Sequence, residues 1–132
     1  MSDYLQWKVE SVLLGRVNST AITIEADASE SSSFEVTGAR NLSVVVPAEW
    51  DDADIGLQVS DDNETFIPLR DRYGNRVKVT GIQTAESASY QFGDDSWQLC
   101  TWIYAKLESL DPADDTAEAQ TAERSLSVRR GS

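Results

Sequence analysis

Ile55-Gly-Leu-Gln-Val-Ser-Asp-Asp-Asn-Glu-Thr-Phe-Ile-Pro-Leu69 is the stretch on which the fold turns. Ile55, Leu57 and Val59 alternate with Gly56, Gln58 and Ser60. A period of two puts the two sets on opposite faces of a strand, one of them apolar. Asp61-Asp-Asn-Glu64 follows. Short side chains of this kind bond their own backbone and tolerate the left-handed conformation, so they predict a tight turn. Thr65-Phe-Ile-Pro-Leu69 returns as a second strand. Pro68 lacks an amide to donate, which sets that strand at an edge or near its end.

The same pattern recurs on both sides of this stretch. Thr20–Ile24, Phe34–Val36, Asn41–Val46, Val77–Thr80, Ser89–Phe92, Trp97–Leu107 and Arg124–Arg129 each read as a strand, with turn residues between them. Asn41–Val46 is a near-continuous β-branched run ended by Pro47, and Trp97–Leu107 carries large apolar groups on both faces. Both are expected in central positions, covered on both sides. Strands this short and evenly spaced predict an all-β fold, an antiparallel β-sandwich with a jelly-roll-like layout. Residues 20–132 form one such domain. Residues 1–19 are an extended N-terminal arm or first strand, since Leu5, Trp7 and Val9 alternate; Trp7, Leu13 and Leu14 would also suit a short helix. Residues 108–123 hold six acids and no base, and read as a long acidic loop before the last strand. Their Ala and Glu content permits a helix after Pro112, but no bulky apolar stripe would hold it.

The chain has 132 residues, 23 acids against 11 bases, a net charge of −12, one cysteine and no histidine. One domain of this length buries a core without staples. Nucleic-acid backbones are bound through clustered Lys and Arg, so this balance argues against them as partners, and against anionic membranes. No apolar run approaches the roughly 18 residues of a membrane span. Met1–Lys8 lacks the basic and apolar regions of a signal peptide, so the chain is expected to be made and folded in a cytosol.

The sequence lacks the usual catalytic constellations. Without histidine, neither a Ser–His–Asp triad nor a Cys–His pair can be built, and zinc lacks its usual ligands. Cys100, inside an apolar run, is expected as a buried small hydrophobe. The acids at 51–54, 61–64, 94–95 and 111–115 fall in turns, where water solvates them. That setting does not raise a carboxyl pKa as glycoside hydrolysis requires. The chain is therefore read as non-enzymatic and free of cofactors. Asp61, Asp62 and Glu64 are the best-placed oxygen ligands for a hard cation, with Asp111, Asp114 and Asp115 second; neither set has the spacing of a calcium loop. Trp50 and Tyr73, in connections, are the aromatics available for stacking on a sugar, whereas Trp97 and Trp102 are expected in the core. Arg70, Arg72, Arg76 and Lys78 form the one basic group, a candidate docking patch for an acidic partner.

Val59-Ser-Asp-Asp-Asn-Glu-Thr-Phe-Ile-Pro-Leu69 resembles the S-D-G-x-x-[WF]-x-P-L hairpin of discoidin-like, galactose-binding-type sandwiches, with Asn63 where those often have Gly. The wider layout is similar to that of small β-sandwich virion proteins of tailed bacteriophages. The matching parts are Val44-Val-Val-Pro47, Ser60-Asp61, Asp71-Arg-Tyr-Gly-Asn75, Ala105-Lys-Leu-Glu-Ser109, Gln120 and Arg124-Ser-Leu-Ser-Val128. This resemblance implies a virion structural protein, first of all a capsid decoration or cement protein that stabilises the head. It also implies a partner in the major capsid protein or other virion subunits, homo-oligomeric or assembly-bound, and a place in the virion after synthesis in the host cytoplasm. A head-fibre, neck or tail component is the alternative within that class. A carbohydrate-binding module is the alternative outside it.

Overall fold

The computed structural model describes residues 17–131. The expected N-terminal arm lies outside them, apart from Val17–Ser19, which open the first strand. Among the described residues, nine strands follow the order β1 (Val17–Ile24), β2 (Phe34–Glu35), β3 (Asn41–Val46), β4 (Asp54–Ser60), β5 (Ile67–Pro68), β6 (Lys78–Val79), β7 (Ala88–Gln91), β8 (Tyr104–Leu110) and β9 (Arg124–Gly131). A 3₁₀ segment, Asp94–Thr101, precedes β8.

The strands make two antiparallel sheets. One runs β1-β9-β3-β7; the other runs β2-β8-β4-β5, with β6 also on β4. From β1 to β4 and again from β7 to β9, each strand lies in the opposite sheet from the one before it. That is the double Greek-key winding of a jelly roll, so the expected all-β sandwich is what forms. Alternation makes the core. Leu42, Val44, Val46, Ile22, Ile24, Leu126 and Val128 face inward from the first sheet, against Ile55, Leu57, Val59, Ala105 and Leu107 from the second.

The first strand of the opening hairpin, β4, is internal to the second sheet, and its partner β5 lies at the edge. β4 is buried along all seven residues, not along one face as its alternation suggests. Its second face carries Asp54, Gly56, Gln58 and Ser60, and the chain itself covers it. Lys78 pairs with Asp54, Glu30 bonds Gln58, and Arg76 and Leu110 lie over Gly56. A Cβ on Gly56 would stand 2.6 Å from Leu110 Cδ1 and 2.9 Å from Arg76 Nη2, so this glycine is needed for close approach.

Two expectations about strands are corrected. β3 is central, between β9 and β7, but Ser43 and Val45 on its outer side are only half-buried. Its apolar run is thus covered on one face rather than two. The expected strand Trp97–Leu107 begins only at Tyr104, because residues up to Thr101 coil into the 3₁₀ segment. Leu99 and Trp102 are three apart, the spacing of that tighter helix, and Trp102 N donates to Leu99 O at 2.9 Å to close it. Cys100 is therefore exposed instead of buried.

Candidate interaction surfaces

The turn after β4 is held by one carboxylate. Asp62 Oδ1 accepts Ser60 Oγ, Glu64 N and Thr65 N, each at 2.9 Å. Ser60 Oγ accepts Asn63 N at 3.0 Å in return. Asn63 takes a φ of 62°, the left-handed position where glycine would also fit. The backbone amide of Thr65, then that of Glu64, holds the Asp62 carboxyl below its ordinary range. Of the three candidate cation ligands, Asp62 is thus engaged by its own loop, and Asp61 and Glu64 are exposed around it. Among the described residues no three acidic or cysteine side chains gather as metal ligands would. Asp114 behaves like Asp62: its Oδ1 accepts Thr116 Oγ1 at 2.7 Å and Thr116 N at 3.1 Å, and its carboxyl is lowered in consequence.

The four basic residues divide into two pairs. Arg76 reaches under the sheet to Glu108 at 2.9 Å, with side chains 6% and 12% exposed. Lys78 bridges Asp54 at 3.0 Å and Asp115 at 2.6 Å, which raises its own pKa. Both are occupied inside the fold, and Lys78 clasps the acidic loop to β4. Only Arg70 and Arg72 face solvent. Arg70 donates to Gly74 O at 2.8 Å, and the Arg72 guanidinium lies 5.4 Å from the ring centre of Tyr73. The expected four-residue docking patch reduces to this turn tip, where Tyr73 is 75% exposed.

The aromatics also redistribute. Trp50, expected to be available for stacking, is 1% exposed, and its Nε1–H donates to Ala53 O at 3.0 Å. Trp102, expected in the core, is only half-buried. With Ile67 and Thr65 it lines a shallow depression of about 220 Å³ beside Asp61 and Asp62. Ile67 is 47% exposed there. The sequence offers one signal for this: Pro68 sets the return strand at a sheet edge, and there it forms only over Ile67–Pro68.

The acidic loop is ordered from within. Gln120, fully buried, donates through Nε2 to Ser109 Oγ at 3.0 Å. Its Oε1 accepts Asp51 N and Arg124 Nε, each at 3.1 Å. Asp51 in turn accepts Thr121 N at 2.6 Å and Arg124 Nη2 at 3.0 Å. Burial pushes the Asp51 carboxyl up, but the Thr121 hydrogen bonds and the Arg124 charge outweigh it and leave it lowered. Glu30 is likewise lowered, chiefly by the Lys106 ammonium at 2.8 Å.

These lowered carboxyls set an acid limit on stability. A carboxyl whose folded pKa lies below its unfolded value stabilises the fold above the unfolded pKa and loses that contribution as pH falls through the folded pKa. The urea midpoint is expected to hold from neutrality to about pH 4.5 and to fall progressively below about pH 4. Glu25, raised by hydrogen bonding to Glu123, works in the opposite sense and offsets part of the loss. A midpoint that rose between pH 4.5 and pH 3 would show that these contacts do not hold the loops.

No protein family matches the chain, and no curated protein matches it. Among solved structures, the crystal structure of the SPBc2 prophage-derived protein YomS is similar, with a TM-score of 0.48 and 15% identity, over 88% of this chain and 95% of that one.

Proposed function

We propose that this chain is a non-enzymatic structural protein of a bacteriophage virion, placed on the head as a capsid decoration protein. The observation that carries the reading is where the phage-like motifs fall. Val44–Pro47 ends the central strand β3, Ser60-Asp61 opens the buttressed turn, Asp71–Asn75 forms the exposed tip, and Gln120 anchors the acidic loop. The motif residues are the ones that make a rigid shell with fixed loops. A body of that kind acts through surface contact, and its role is to bridge neighbouring capsid subunits.

Electron microscopy of particles carrying this chain fused to a dense label tests the reading. Label is expected at regular positions on the head, and particles made without the chain are expected to release their contents at lower temperature. Label confined to fibre, neck or tail would move the chain to the alternative placements, and particles free of it would overturn the proposal.

A second reading, a carbohydrate-binding module, draws on Trp102 in its depression and on the exposed Tyr73. It requires glycan binding that is lost in Trp102→Ala or Tyr73→Ala while the fold persists. Silence across a glycan array, with and without calcium, would remove it.

A further inference from the structure

The outer face of the four-stranded sheet differs from the rest of the molecule. Two adjacent rows cross it: Ser19–Arg129–Ser43–Gln91 and Ala21–Ser127–Val45–Ser89. On a chain with 23 acids, no described side chain on these rows is acidic, and Arg129 is the only charge. Copies of a chain at −12 repel one another, and least so across this face. Its hydroxyls and its Gln amide both donate and accept hydrogen bonds, so the face is complementary to itself.

The face also has a direction. Arg129 is exposed near one end of β9, with exposed Arg40 close by, its amide donating to Gly131 O at 2.8 Å. At the other end, just past the pair Ile24–Arg124, Glu25 and Glu123 lie side by side. Their proximity is unfavourable while both are ionised, and it raises the Glu25 carboxyl. From residue 123 to residue 129 is roughly 20 Å of strand.

We propose that a second copy of this chain packs on this face, the two sheets stacked with strands antiparallel about a two-fold axis crossing the middle of β9. Arg129 of each copy then meets the Glu25–Glu123 pair of the other, twice per dimer, as isologous symmetry demands. Strands of eight, eight, six and four residues at about 4.8 Å spacing cover about 400 Å² per copy. About 800 Å² in total is below the standard size of a stable interface, so the dimer is weak and concentration-dependent. This inference does not depend on the virion reading.

Sedimentation equilibrium of the purified chain from about 10 μM to about 1 mM covers the affinity range expected of such an interface. A monomer–dimer equilibrium is expected at about 0.15 M salt, where the repulsion between the two acidic chains is screened. Arg129→Glu and Glu123→Arg are each expected to raise the dissociation constant about tenfold or more. The double variant R129E/E123R, which keeps the wild-type net charge, is expected to recover most of the affinity. Arg72→Glu, on the turn tip and with the same net charge as R129E, is expected to leave it unchanged. A monomer at every concentration, a dimer indifferent to Arg129→Glu, or failure of the double variant to recover would each overturn the proposal.

Discussion

Trp50→Ala is expected to destabilise the chain by about 4 kcal/mol, the usual cost of emptying a large aromatic site in a close-packed core. For a domain of this size that lowers the melting temperature by on the order of 10–15 °C. Trp50 is 1% exposed, packs in the main core, and has its one polar atom satisfied by Ala53 O at 3.0 Å. Trp50→Phe keeps much of the volume and drops that bond, so about 1–2 kcal/mol is expected instead. Denaturant titration of both variants checks the pair. If Trp50→Ala cost under about 1 kcal/mol, the side chain would have to be outside the core.

Arg76→Ala is expected to cost about 3 kcal/mol, because Glu108 would be left charged and largely buried without its partner. The pair sits at 2.9 Å on the covered face of β4, and Arg76 Nη2 also lies 3.4 Å from Leu57 O. Arg76 Nε is buried with no partner, so the pair is not fully compensated. Replacing both ends with apolar groups, Arg76→Met with Glu108→Leu, is therefore expected to return to within about 1 kcal/mol of the wild type. Denaturant midpoints of the single and double variants separate this from an exposed ion pair, for which the single substitution would cost under about 1 kcal/mol.

Both substitutions fall where reading by residue type was least informative. The strands were legible because alternation and β-branched runs report a face directly: β3 was expected at Asn41–Val46 and forms there. β9 was expected at Arg124–Arg129 and runs to Gly131. Trp50 was not legible, since a tryptophan between Glu49 and Asp51 carries no sign of the chain reversal that turns it inward. Arg76 and Lys78 looked like part of one basic patch because their partners, Glu108, Asp54 and Asp115, are distant in sequence. Only the sheet register brings them together. The 97–107 run failed for a different reason. An apolar segment can be read with period two or three, and the spacing of Leu99 and Trp102 belonged to the tighter helix. Gln120 belongs to one of the matching motifs, but its burial and its grip on Ser109, Asp51 and Arg124 depend on long-range geometry.

The order β1-β9-β3 also fixes when this molecule can exist. β9 is inserted between β1 and β3, from Val17–Gly131 to Ile24–Arg124 on one side and from Asn41–Gly131 to Val45–Ser127 on the other. While the ribosome still holds residues 124–131, β1 and β3 lack their shared neighbour and present unpaired edges. Closing that gap joins positions more than a hundred residues apart, a slow kind of contact to find. The first sheet thus closes only after residues 124–131 have left the ribosome, and in a crowded cell the interval before that is when nascent copies are most open to misassociation.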